Sequence, residues 1–138
     1  MVREAIKFLW LLAALLVAPA AQAYTPDELR GDCQAAEEMY ARQKSSDPFK
    51  SIRSARCIAY VAGFADGYAV SNYLAEQVSV KLNAFCLPND PDLSMRLVRA
   101  VTIHVERVPP NTTMSTATLV AGALAKAFPC TEALEPKK

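Results

Sequence analysis

The sequence predicts an all-α fold, a compact four- or five-helix bundle braced by two disulfides, and three observations carry that expectation. Apolar residues recur at three- and four-residue spacing in four separate stretches, and no segment alternates in the manner of a strand. Proline-containing clusters, "SSDP", "PNDP" and "PPN", divide those stretches. Four cysteines, Cys33, Cys57, Cys86 and Cys130, lie on the stretches or beside them, in a chain that opens with an export signal.

That signal is "MVREAIKFLWLLAALLVAPAAQA". Arg3 and Lys7 form a basic start, an apolar run extends from Phe8 to about Val17, and Ala21 and Ala23 supply the small residues of an A-x-A cleavage site. The run is shorter than the ~20 residues a spanning helix needs, and no cysteine follows it to take a lipid anchor. Residues 1–23 therefore read as a signal peptide and 24–138 as a single helical domain of an exported protein, with no membrane association once the signal is cut. The whole chain holds 15 basic and 14 acidic side chains; loss of Arg3, Lys7 and Glu4 leaves 13 of each. A neutral chain without a basic block offers no electrostatic footing for nucleic acid.

The first helix is expected from "TPDEL" to about Lys44. Thr25 can act as N-cap, Pro26 suits the first helical position, and Glu28 completes a capping box. Leu29, Cys33, Ala36 and Tyr40 share one face, and Asp32, Glu37, Glu38 and Arg42 are assigned to the opposite one. After a turn at "SSDPFKS", the second helix is expected from about Ser54 to Glu76, with Cys57, Tyr60, Val61, Phe64 and Tyr68 on its inner stripe. Gly63 and Gly67 leave a flat strip on that helix. Each costs about 1 kcal/mol relative to alanine, so close packing against the strip is expected, the competing reading being a break after Val70. Asp66 reads as a hydrogen-bonding or capping acid, since no second acid or histidine accompanies it.

The third helix follows a loop containing Pro88 and Pro91 and is expected to be capped by Asp90 or Asp92. Leu93, Leu97, Val101, Val105 and Val108 supply its buried face, while Arg96, Arg99, Glu106 and Arg107 meet solvent. Pro109 and Pro110 end it. A fourth helix starts near Ser115, turns Val120, Leu124 and Phe128 inward, uses Ala117, Ala121 and Ala123 for close approach, and stops at Pro129.

An exported chain with an even cysteine count and no C-x-x-C favours disulfides over a metal site. Four cysteines allow three pairings; Cys33 with Cys57 and Cys86 with Cys130 is the favoured one, which makes Cys130 a staple at the end of the last helix. Each bridge would contribute roughly 2–4 kcal/mol. His104 is the only histidine and reads as a structural or interfacial residue at the edge of the core. There is no Gly-rich phosphate loop, no H-E-x-x-H and no G-x-S-x-G. An enzyme, a cofactor and a metal are accordingly not expected.

At "CIAYVAGFADGY", "FCLPNDPDLSMRLVRAVTIHVERVP" and "STATLVAGALAKAFPC" the chain resembles the Rap/Tai family of bacterial periplasmic immunity proteins. Cys57, Tyr60 and Gly63 match a C-x-x-Y-x-x-G opening on a central helix, Phe85, Cys86 and Pro88 match F-C-x-P, and Phe128, Pro129 and Cys130 match the closing F-P-C. Cys33 matches the family's early cysteine. Two loops depart from the pattern: "RVPPN" stands where a His-Pro-Glu-like turn is usual, and "NDPD" stands where a glycine is usual. The resemblance implies a small periplasmic helical protein, often dimeric, that binds and occludes a peptidoglycan amidase toxin delivered by type VI secretion. Pro88, Asn89, Asp90 and Asp92 in one loop and Pro109, Pro110 and Asn111 in another are the expected partner-binding residues, because prolines restrict both loops before binding. The rival readings are a small periplasmic chaperone or stress protein, and an interaction module of the same fold with no toxin partner.

Overall fold

A computed structural model describes residues 23–131. Apart from Ala23, the expected signal peptide lies outside the described residues, as does the tail beyond Thr131. Among the described residues the chain forms four helices, α1 (Pro26–Tyr40), α2 (Lys50–Glu76), α3 (Leu93–Glu106) and α4 (Thr116–Ala127), and no strand.

The capping box forms as expected: the Thr25 side chain accepts from the Glu28 N–H, and the Glu28 carboxylate accepts from the Thr25 N–H. α1 ends at Tyr40, four residues before the expected end. Arg42 adopts a left-handed conformation with φ 55°, and the Gln43 N–H donates to the Glu38 carbonyl while the Arg42 N–H donates to that of Met39. This is a Schellman closure built without glycine. Conversely, α2 begins at Lys50, earlier than expected, because the Asp47 carboxylate accepts from the Phe49 N–H and nucleates the turn within "SSDPFKS".

At α3 the capping expectation fails. Asp92 is the N-cap residue but its side chain caps nothing; the Asp90 carboxylate instead accepts from the Asp92 N–H and from Arg96, stiffening the loop before the helix. These two contacts, the backbone one first, hold the Asp90 carboxyl below its usual range. α4 starts as expected, with the Ser115 hydroxyl accepting from the Thr118 N–H.

Leu29, Cys33 and Ala36 of α1, Cys57, Val61 and Ala65 of α2, Leu97, Val98, Val101 and Val105 of α3, and Leu119, Val120, Ala123 and Leu124 of α4 share one apolar core, closed by Phe85 and Phe128. Leu93 and Val108, expected inside, pack partly buried against its edge, and Ala117 is exposed. Both bridges form in the favoured pairing, Cys33–Cys57 and Cys86–Cys130. The first joins α1 to α2 with both cysteines fully buried. The second lies at the edge, where the Cys86 N–H also donates to the Phe128 carbonyl.

Asp32 overturns its assignment to the solvent face of α1. It is 2 % exposed, and its carboxylate accepts from the Tyr24 hydroxyl, Arg53 and Arg56. Asp32 stands three residues after Leu29, about 60° away at about 100° per residue, so the wheel places it on the flank of the buried face and not opposite it; α2 and the segment before α1 cover that flank. Gly31 leaves room for the Arg53 guanidinium, whose end would lie 2.7 Å from a Cβ there and would have to shift for a larger residue. Tyr24 is clamped in the same cluster: Arg56 lies over its ring, Tyr60 meets it edge-on, and the Thr116 hydroxyl donates to its carbonyl. Burial, and then the hydrogen bond to Asp32, raise the Tyr24 phenol well above its ordinary range.

Candidate functional site

α2 is the element that exceeds the needs of the core. Its 27 residues span about 40 Å at a rise of about 1.5 Å each, against roughly 18–23 Å for the others, and its last buried residue is Ala65. The remainder carries Val70, Tyr73 and Leu74 exposed to solvent. Ser79, with φ 60°, closes the helix by a second Schellman arrangement in which the Val80 N–H donates to the Ala75 carbonyl. The chain then folds back along α2: the Leu82 N–H donates to Asn72, the Ala84 N–H donates to the Tyr68 hydroxyl, and Phe85 stacks on Tyr68 with ring centroids 3.9 Å apart. Val78, Val80 and Leu82 are exposed on this return.

The result is an arm, residues 66–84, bearing six exposed large apolar side chains and joined to the core where Tyr68, Phe85 and Cys86 meet. Cys86 is bridged to Cys130 at that root. An open cavity of about 330 Å³ lies beside it, lined by Tyr68, Ala69, Asn72, Asn83, Phe85 and Leu87 among others. Sequence periodicity assigned Tyr68 to the helix stripe but did not identify the arm. The available signal was the lack of one consistent face in the apolar residues after Ala65, a pattern that fits either full burial or an interface.

Gly63 and Gly67 sit at the outset of this projection, and both expectations for them fail. A Cβ at either position would meet nothing within 4 Å, so nothing packs there; α2 also runs unbroken to Glu76. Both face solvent, as does Asp66, which makes neither a side-chain hydrogen bond nor an ion pair among the described residues.

The two proline loops lie at opposite ends of α3, a 14-residue helix about 20 Å long. Leu87 to Asp92 continues directly from the arm's root; Asn89 and Asp92 are exposed, Pro88 is half-buried, and Asp90 is engaged with Arg96. Pro109, Pro110 and Asn111 are exposed at the far end, in a turn where the Thr112 N–H donates to the Pro109 carbonyl. Pro88, Asn89 and Asp92 thus follow the arm's root in the chain, next to Leu87 of its cavity, whereas Pro109 to Asn111 lie at the other end of α3. Of the motif residues, Tyr60 packs on Tyr24, Phe85 and Phe128 close the core, and Pro129 is exposed between Phe128 and Cys130.

His104 is half-buried on α3, with its Nε2 3.3 Å from where a Cβ on residue 122 would lie, so Gly122 of α4 gives the ring its seat. Burial, then the charges of Lys126 and Arg107, lower its pKa. Among the described residues no three His, Cys, Asp or Glu side chains group as metal ligands, and no helix is long and apolar enough to cross a membrane. The chemistry on offer is that of contact: an apolar arm, braced at its root, beside a constrained loop.

Comparison with known proteins agrees with that reading in kind. The family model described as Rap1a immunity proteins matches residues 25–130, which spans all four helices and both bridges. No curated protein and no solved structure matches the chain.

Proposed function

Because this chain belongs to the Rap1a immunity proteins, we propose that it acts in the periplasm by binding a peptidoglycan amidase toxin of a type VI secretion system and filling its substrate cleft. The observation that carries the mechanism is the arm: six exposed large apolar side chains on residues 70–82 lie outside the core, on a segment fixed at its root by the Cys86–Cys130 bridge and the Tyr68–Phe85 stack. A cluster of exposed large apolar side chains on one segment marks a surface for a partner to cover. Restricting the segment before binding lowers the ordering cost on association. The adjoining Pro88, Asn89 and Asp92 would form the polar edge of the same contact, which needs no catalytic group on this chain.

The test uses the oxidised chain from Tyr24 to Lys138 as bait in a periplasmic extract, followed by a peptidoglycan cleavage assay on whatever protein is retained. Recovery of an amidase that is silent with the bait and active without it supports the reading. Recovery only of mixed unfolded proteins, and only at acid pH, would replace it with chaperone activity. Substituting Asn89 with arginine should weaken capture of that amidase; unchanged affinity would remove the loop from the contact. The reading includes a homodimer, for which light scattering of the oxidised chain should give twice the monomer mass.

A further inference from the structure

A second surface stands away from the arm. Between α3 and α4 an open groove of about 300 Å³ is lined by the small side chains Ala100, Ala123 and Ala127, by Ile103 and Val108, and by His104, Arg107 and Lys126. Ile103 is exposed, and Val108 leads into the Pro109–Asn111 turn.

Two cations without an ion pair line this groove; Arg42 and Lys44 also make no ion pair among the described residues but do not line it. Arg30, Lys50, Arg53, Arg56, Arg96 and Arg99 each make an ion pair. Arg107 and Lys126 make none among the described residues, and no side-chain hydrogen bond either. Both line the same groove as His104, Arg107 from the end of α3 and Lys126 from the last turn of α4. Among the described residues no acidic side chain lines the groove. Two unneutralised cations across a recess of methyl groups form a receptor for a carboxylate carried on an aliphatic chain, and a guanidinium binds such a group with two parallel hydrogen bonds.

We infer that the α3–α4 groove is a second docking site for the partner protein, taking an acidic segment of it, an aspartate or glutamate flanked by aliphatic residues, with the carboxylate between Arg107 and Lys126. The site rests on the proposed immunity reading for its partner, and it gives the Pro109–Asn111 end of α3 a role in the contact separate from the arm.

The probe is the acetylated and amidated peptide Leu-Glu-Ile-Glu-Leu, titrated into the isotope-labelled oxidised chain from Tyr24 to Lys138 and followed by NMR. The glutamate peptide should move the signals of Ile103, His104, Arg107 and Lys126 and leave Val70 and Leu74 unmoved. It should bind about tenfold more tightly than the same peptide with glutamines. Arg107→Gln with Lys126→Gln should abolish that preference with all other resonances in place, and the imidazole of His104 should titrate at higher pH when the glutamate peptide is bound. Equal affinity for both peptides, shifts centred on the arm, or no shifts at all would overturn the inference. A chain ending at Thr131 whose groove signals already differ from those of the full chain would also overturn it, since the chain's own C-terminal tail would then be the occupant. Inhibition of the captured amidase equally by the wild type and by the double variant removes the groove from the contact and leaves immunity standing. Glutamate-selective binding in the absence of any amidase partner keeps the groove and removes the immunity reading.

Discussion

Replacing Val70 with lysine and Leu74 with glutamate should separate binding from folding. The two positions lie one turn apart on the arm and are 58 % and 59 % exposed. Burying a whole Val or Leu side chain stabilises by about 1.5–3 kcal/mol, so the exposed portions offer a partner roughly 2–3 kcal/mol together. Losing that corresponds to about a 30- to 150-fold rise in Kd, and forcing two charged groups to shed water would add to it.

The folded chain should barely notice. Lysine is a better helix former than valine, and glutamate is close to leucine. The new base lies four residues after Asp66, which has no side-chain partner among the described residues, and four before the new acid, pairs that contribute about 0.2–0.5 kcal/mol each. The net charge is unchanged. The assay is calorimetric titration of the captured amidase against both chains, with thermal melting in parallel. A melting temperature within about 2 °C of wild type together with unaltered Kd would refute the assignment of the arm as the contact. A large fall in melting temperature would instead refute the claim that the arm lies outside the core.

Arg42→Gly should raise stability by about 1 kcal/mol and the melting temperature by about 4 °C, because Arg42 holds φ 55° where glycine pays no steric cost; no gain would mean that the Schellman closure is not strained. Asp32→Asn should cost about 2–3 kcal/mol in chemical denaturation, less than a wholly buried pair because Arg53 and Arg56 can turn to water, whereas Glu37→Gln at the exposed Arg99 pair should cost under about 0.5 kcal/mol. From sequence separations of 24 and 44, loop entropy alone assigns about 3.5 kcal/mol to Cys33–Cys57 and about 4 kcal/mol to Cys86–Cys130. Paired alanine substitutions should nonetheless reverse that order, since the inner sulfurs are fully buried and leave a cavity; equilibrium unfolding of the two double variants decides it. His104 has a lowered folded pKa, so the unfolded chain takes up the proton first, at about pH 6.5. Its contribution is then lost progressively as pH falls from about 6.5 through the folded value. His104→Gln should therefore flatten the decline of melting temperature between pH 7 and pH 5, and an identical pH profile would refute the seat assigned to the ring.

The parts legible in the sequence were those governed by one helix at a time or by the cysteines. The Thr25 capping box and the buried faces of α3 and α4 follow from local spacing, and the presence of two bridges follows from compartment and an even cysteine count, whereas their pairing is a preference among three that spacing does not decide. Asp32 was misread because a carboxylate is expected in water, although its spacing of three from Leu29 puts it beside the buried face. Its partners Arg53 and Arg56 come from α2, which the pattern of α1 does not show. Gly63 and Gly67 were misread because their surroundings depend on a second element. The glycines signalled a close neighbour because unoccupied glycine in a helix is wasteful, and the chain leaves that space open. The end of α1 was missed because Arg42 carries no glycine signature at a left-handed position. The arm was invisible for a related reason: Val70 and Leu74 have the composition of core residues, and length relative to the other helices becomes evident only when all four are assembled.

That mismatch in length bears on how such a protein can change its partner without losing its fold. Burial along α2 stops at Ala65, and the inner bridge, the Asp32 cluster and the shared core of α1, α3 and α4 all lie before that point or outside α2. Substitutions at the exposed Val70, Tyr73, Leu74, Val78, Val80 and Leu82 therefore act on surface side chains, where costs stay within about 0.5 kcal/mol. The arm still cannot drift, because Tyr68, Phe85 and the Cys86–Cys130 bridge fix both of its strands of chain at the root. An arm free in sequence but restrained in geometry can exchange one apolar pattern for another while keeping the low ordering cost that tight association requires. The α3–α4 groove follows the opposite logic, since Ala100, Ala123 and Gly122 are bound into the helix packing and leave Arg107 and Lys126 as the positions free to vary. Specificity for one toxin over another should then reside in apolar shape at the arm and in charge at the groove.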